Sequence, residues 1–191
     1  GIIADKIIDS ANKNSLNMAS DFTKVLRYCA ENVHFASINI SSPNTNELRS
    51  FQQKDKLNDL LSLIADSRQN LSNPIPIFIK ISPDLEFNEL ESIVDLAHQH
   101  KIAGIIATNT STDYQILKNP RNFLRGGVSG APLLTKSTQV LARLSIISEG
   151  QIPLIGVGGI SSGKDAFEKI CAGASAVQLY SALTFYGPDL V

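Results

Sequence analysis

Five short apolar runs constrain this chain most. Each has the character of a buried strand, each ends in a small-polar or glycine-rich turn, and a helical stripe separates each from the next. The runs are residues 35–40, 75–81, 104–109, 154–159 and 176–181, and residues 2–8 make a sixth if that abrupt apolar start is counted. The stripes between them are Met18, Phe22, Val25, Leu26 and Cys29; then Leu57, Leu60, Leu61 and Ile64; then Leu90, Ile93, Val94 and Ala97; then Val140, Leu141, Leu144 and Ile147, closed by Gly150; and last a helix over 164–172. A near-continuous apolar strand is what a parallel sheet covered on both faces requires. Strict alternation with right-handed crossovers leaves a doubly wound sheet or a (β/α)8 barrel. The barrel is preferred, because nearly every strand end carries chemistry, at 39–44, 80–83, 108–110 and 158–162. A barrel gathers its site from many strand ends, whereas a doubly wound sheet concentrates it at one switch point. Five to six strands cannot close eight, so an incomplete (β/α)8 TIM barrel is expected.

Asn39-Ile-Ser-Ser-Pro-Asn-Thr45 is the most informative strand end. Pro43 stops the strand, since its ring removes a ladder donor. Asn39, Ser42 and Asn44 then offer donors and acceptors suited to the amide and carbonyl edges of a flat heterocycle. Gly156-Val-Gly-Gly-Ile-Ser-Ser-Gly163 follows a strand and opens a helix, an arrangement that turns backbone N–H groups toward an anion such as phosphate. It is not a nucleotide-hydrolysing loop, because Asp165 stands where a Mg²⁺-binding Ser or Thr belongs, and Ser161 replaces the third glycine of a dinucleotide fingerprint. Lys80 ends an apolar strand and points either into the site or out at a rim. Residues 110–127 form the longest stretch without a period, as expected of a lid or binding loop.

Composition narrows the partners. Lys+Arg 17 against Asp+Glu 18 leaves a net charge of -1, which excludes an electrostatic footprint for nucleic acid. No stretch is long and apolar enough to span a bilayer. Cys29 and Cys171 fall on apolar helix faces and read as buried thiols. His34, His98 and His100 stand away from the strand-end turns, which leaves metal and Ser-His hydrolase readings without support.

Taken in order, Asn39 to Thr45, Lys80-Ile-Ser-Pro-Asp84, Thr108-Asn-Thr110, Gly126-Gly-Val-Ser-Gly130, Gly156-Val-Gly-Gly159 and Gln178-Leu-Tyr180 resemble the class 2, quinone-dependent dihydroorotate dehydrogenases. The resemblance covers essentially the whole chain, which would be the C-terminal portion (residues 1–191) of a single FMN-binding barrel domain. It implies oxidation of dihydroorotate to orotate, in pyrimidine synthesis, with FMN as cofactor. The electrons would pass to a quinone through an N-terminal region not contained in this sequence. It further implies an intracellular protein held peripherally on an inner membrane, bacterial cytoplasmic or mitochondrial. Carried over position by position, Ser42 is the base that removes the C5 proton while hydride leaves C6. A cysteine there would mark class 1. Asn39, Asn44, Asn109 and Thr110 hold the pyrimidine; Asn39 and Lys80 lie against the flavin, the lysine near its N1/C2 edge. Thr108, Ser129, Gly130, Gly158, Gly159, Tyr180 and Ser181 hold the ribityl and phosphate groups. A family asparagine that reaches the flavin is replaced, by Ile8 in an ungapped alignment or Ile3 in a shifted one. Two alternatives remain open: another FMN barrel oxidoreductase of the class 1 or dihydropyrimidine dehydrogenase type, and an inactive truncated remnant. A second chain completing the barrel is a further expectation.

Overall fold

The computed structural model describes residues 2–3, 15–119 and 126–191. Six parallel strands, β1 (Ile2–Ile3), β2 (Ala36–Asn39), β3 (Ile77–Ile81), β4 (Gly104–Ala107), β5 (Leu154–Val157) and β6 (Ala176–Gln178), form one sheet in the order β1-β2-β3-β4-β5-β6. That order decides between the two closures. A doubly wound sheet reverses its strand order at a switch point, whereas sequential parallel neighbours make an arc of a barrel. Residues 4–8 of the sixth expected strand, Ile8 among them, lie outside the described residues, and Ile3 lies in β1.

The crossover helices are α1 (Ser15–Cys29), α2 (Asn46–Ser50), α3 (Lys54–Gln69), α4 (Phe87–Gln99), α5 (Leu134–Ile147) and α6 (Gly163–Cys171), and α7 (Ser181–Tyr186) follows β6. The stripes expected from periodicity in α3 and α4 are the faces that pack. Leu57, Leu60, Leu61 and Ile64 of α3, with Leu90, Ile93, Val94 and Ala97 of α4, are buried in one core with Ile77, Ile79 and Ile81 of β3. A reciprocal capping box starts α4, where the Glu86 carboxylate accepts from the backbone of Glu89 and Glu89 Oε2 accepts from Glu86 N at 2.8 Å. Gly150 turns α5 out at φ 72°, the left-handed conformation that glycine adopts without a Cβ penalty.

Two expectations need correction. β3 is sealed on its helix side alone, because Phe78 and Lys80 on its other face are only half-buried. Phe78 meets Phe35 edge to face, with ring centroids 5.6 Å apart, and lies over Gly104, where a Cβ would stand 2.5 Å from its ring. The connection between β2 and α3 is itself partly helical. It holds α2, followed by buried Phe51. Second, Cys171 is exposed and Cys29 half-buried. In α6 the inward side is taken by Lys169, whose Cβ lies against the backbone of Gly156, and Phe167 and Ile170 are left exposed along with Cys171.

The end strands β1 and β6 each have one neighbour in the described sheet. Unpaired N–H and C=O groups along an edge are a template for another strand. Exposed Tyr180, Phe185 and Tyr186 add apolar surface beside β6. Expressed by itself, this 191-residue stretch is therefore expected to self-associate. Size-exclusion chromatography with light scattering checks this, and a stable monomer at micromolar concentration would contradict it.

Candidate functional site

The C-terminal ends of β2 to β6 meet around a cleft of about 410 Å³, within the usual range for small-molecule sites. Its polar lining is Asn39, Lys80, Thr108, Asn109, Thr110, Ser129, Gly130, Gly158, Gly159, Tyr180 and Ser181; its apolar lining is Leu133, Val157, Ile160, Leu179 and Ala182. The polar lining is the set expected from the sequence without Ser42 and Asn44, and the five apolar residues were not among those expected. Those two sit on the turn after β2, Ser42 half-buried and Asn44 exposed. Between them Pro43 lies close to Gly127, at 3.0 Å from where a Cβ of that glycine would be, and the same Cβ would collide with Thr110. The turn is thus packed against the far wall, which closes through an antiparallel bridge of Ser111 with Val128. The 110–127 connection also carries a short 3-10 turn, Tyr114–Ile116, and residues 120–125 of the expected lid are outside the description.

A hydrogen-bonded network fixes the amides. Asn109 Nδ2 donates to Asn39 Oδ1 (3.1 Å) and Ser41 Oγ (3.0 Å), and Asn109 Oδ1 accepts from Thr110 N (2.8 Å). Asn39 Oδ1 also accepts from Ser41 N (3.3 Å). With its oxygen engaged in this way, Asn39 has its Nδ2 donors to offer a ligand. The Asn39 side chain is almost wholly buried, so its position is set before anything binds. On the opposite side Ser181 Oγ donates to Ser129 Oγ (3.0 Å), joining the end of β6 to the segment before α5. Gly158 and Gly159 turn the chain there at φ 115° and 82°. A Cβ on Gly159 would stand 2.5 Å from the Leu134 backbone, so this turn rests directly on the start of α5. Asp165 closes the turn from behind, accepting from Ser161 N and Oγ at 2.9 Å each. Its slight burial opposes ionisation, but these hydrogen bonds outweigh it and hold the carboxyl below its ordinary range. Asp165 therefore has a backbone-capping task. Donors and a lysine at one end, an apolar floor and a backbone turn at the other suit a flat heterocycle carrying a hydroxylated chain and a phosphate.

Sequence reasoning missed what holds these walls together. Asp84, just past β3, accepts from Lys136 Nζ (2.7 Å) in α5, Arg49 Nη2 (3.2 Å) in α2, Thr112 N (2.7 Å) and Thr112 Oγ1 (3.0 Å), and also from Ser111 Oγ. Arg49 Nη1 reaches Thr112 Oγ1 at 2.9 Å, and Lys136 also meets Asp113 at 3.1 Å. Burial would raise the Asp84 pKa, but the hydrogen bonds and the ammonium charge overcome it and keep the carboxyl far below its usual range. Lys136 is the mirror case: desolvation opposes its charge, and its bonds to Asp84 and Asp113 raise its pKa. The sequence signal was present in Ser82-Pro83-Asp84, a carboxylate at a strand end with no assigned task. Arg49 and Lys136 carry no such mark. Two further bonds tie the same walls, from Ser41 Oγ to Lys80 O (2.8 Å) and from Ser82 N to Gln52 Oε1 (2.8 Å).

Asp84→Asn in the full-length protein is expected to cost about 1.5–3 kcal/mol of stability at neutral pH, the range for hydrogen bonds to a charged group. Because the folded-state pKa is depressed, the contribution is complete above the unfolded value near pH 4 and is lost as pH falls below it. Thermal unfolding of both proteins from pH 7 down to pH 3 should show the gap narrowing. A gap independent of pH would refute the charge's role.

The family model described as "Dihydroorotate dehydrogenase" matches residues 3–191. The "Dihydroorotate dehydrogenase (quinone)" of Cereibacter sphaeroides (strain KD131) is 47% identical over 180 residues, covering 94% of this chain and 51% of that protein. The mitochondrial "Dihydroorotate dehydrogenase (quinone)" of Mus musculus is 43% identical over 183 residues, covering 94% and 46% respectively. Among solved structures, that of ligand-free DHODH from Eimeria tenella superimposes with a TM-score of 0.86 at 31% identity, over 94% of this chain and 54% of that one. The chain thus spans about half the length of the relatives it matches.

Proposed function

This chain belongs to the dihydroorotate dehydrogenase family, and from that premise we propose that the protein carrying it oxidises dihydroorotate to orotate, with FMN in the C-terminal cleft and a quinone as electron acceptor. The observation that carries the reading is the cleft itself, which collects from five strand ends all the residues that the family resemblance implies for flavin and, for pyrimidine, Asn39, Asn109 and Thr110; Asn44 stands on the turn beside it. The donor set fits FMN: the Gly158–Gly159 turn with Ser129, Gly130, Tyr180 and Ser181 for phosphate and ribityl, Thr108 beside them, and Asn39 with Lys80 for the ring. When bound, FMN supplies the hydride acceptor.

The chain's own residues bind, orient and deprotonate. Asn39, Asn44, Asn109 and Thr110 hold the pyrimidine, with the Asn39–Ser41–Asn109 network fixing the amides in advance of binding. Pre-organised donors spare the reaction the cost of reorienting dipoles. Lys80 offers a fixed positive charge in the cleft, which favours negative charge developing near it. Ser42 takes the C5 proton as the C6 hydride leaves. A neutral serine is a poor base, so this role calls for a relay and a water-poor site. The packing of Pro43 toward Gly127 supports such closure around Ser42.

A nicotinamide- or fumarate-linked relative is the competing reading within flavin barrels, and Ser42 in place of cysteine favours the quinone-linked one. No helix among the described residues is long and apolar enough to cross a membrane. The reading assigns quinone contact, and peripheral attachment to an inner membrane, to a region outside this sequence.

Full-length protein mixed anaerobically with dihydroorotate should lose its flavin absorbance and regain it on adding a soluble quinone. Regain with fumarate or a nicotinamide instead of quinone would transfer the protein to the competing class. Ser42→Ala is expected to slow the bleaching step by about 10²-fold or more while flavin stays bound. Unchanged stopped-flow kinetics would remove Ser42 from the mechanism.

A further inference from the structure

Lys169 is fully buried in α6, and the reaction outlined above makes no use of it. An ammonium group shut away from water is costly unless it is hydrogen-bonded or paired. Burial holds its pKa down to about 8, and the nearby Asp165 charge offsets part of that effect. A methionine or leucine would fill the same space at lower cost.

The hydrogen bonds give the lysine a task. Lys169 Nζ donates to Ser137 Oγ in α5 at 2.5 Å. An ammonium has donors only, so Ser137 must accept, which leaves the serine's own proton for a carbonyl. Two carbonyls are in reach, Gly158 O at 2.9 Å and Leu134 O at 3.1 Å. The Gly158 carbonyl belongs to the peptide whose N–H is that of Gly159, and both glycines line the cleft. A hydrogen bond onto a carbonyl polarises its peptide and makes the N–H of that peptide a better donor. Ser137 is itself fully buried, and a Cβ on Gly158 would stand 2.9 Å from its Oγ, so no water separates serine from turn.

We propose that Lys169 is a positioning residue for the anion-binding turn, acting through Ser137 and the Gly158–Gly159 peptide to bias the Gly159 N–H toward a phosphate on the cleft side. The lysine need not touch the phosphate. Its charge reaches the cleft along two hydrogen bonds and one peptide, from behind the turn. Asp165 stands one helical turn back on α6 and would otherwise disfavour an anion there; Lys169 offsets that carboxylate. The inference rests on the reading that FMN occupies the cleft, and it concerns the phosphate end alone.

The test compares FMN with riboflavin, which lacks the phosphate, in flavin-free full-length protein, by quenching of flavin fluorescence. The unaltered protein should prefer FMN; no preference would remove the flavin-phosphate reading itself. Given that preference, Lys169→Met is expected to reduce it tenfold or more while riboflavin affinity stays within twofold. Ser137→Ala, a smaller change that keeps the lysine, should reduce it in the same sense. A ratio equal to that of the unaltered protein, or equal weakening of both ligands, would overturn the proposal. If Lys169→Met does not fold, the Ser137→Ala ratio decides by itself.

Discussion

The Asp84 carboxylate is the interaction on which the site depends. A barrel arc supplies strand ends in the right order, and Leu48, Phe51 and Leu85 anchor the connections after β2 and β3 in the core, but the polar rims of those connections still have to be held to one another. Asp84 gathers Arg49 from behind β2, Ser111 and Thr112 from behind β4 and Lys136 from α5 onto one carboxylate. Three consecutive loops and the following helix are tied at a point just outside the cleft. The cluster is partly buried, so removing one member leaves its partners' charges short of a counter-ion. The depressed pKa of Asp84 and the raised pKa of Lys136 are two expressions of the same coupling.

With the rim held, each wall of the cleft needs only local support. On the β2 side this is the Asn39–Ser41–Asn109 network, and on the β5–β6 side it is the contact of the Gly158–Gly159 turn with α5. The two sides differ in kind: the first offers oriented amides and an ammonium, the second backbone groups and hydroxyls. That polarity across one cleft is what a ligand with a heterocycle at one end and a phosphate at the other would exploit.

Much of this was legible in the sequence, and the rest was not for identifiable reasons. The stripe Leu57, Leu60, Leu61, Ile64 predicted the packing face of α3 because burial imposes the helical period on composition. Strand ends were legible because polar residues break apolar runs where side chains leave the core. α2 escaped notice, being five residues in a polar stretch, and α7 did too, since its large apolar residues Phe185 and Tyr186 are exposed and its buried residue is the small Ala182. α6 misled the reading of Cys171: its inward position belongs to a lysine, and hydrophobicity assigns that helix the opposite face. The Asp84 cluster was hidden for a different reason. Charges that meet only in the fold leave no period, and Arg49, Asp84 and Lys136 come from three separate segments.

The central claim is that the cleft at the strand ends is the flavin site, with its ring end at Asn39 and Lys80 and its phosphate end at Gly158, Gly159 and Ser181. The most direct measurement is a crystal structure of the full-length protein grown with FMN. The account predicts isoalloxazine density over Asn39 and Lys80 and phosphate density at the Gly158–Gly159 turn. Flavin density elsewhere, or in the reverse orientation within this cleft, would contradict it.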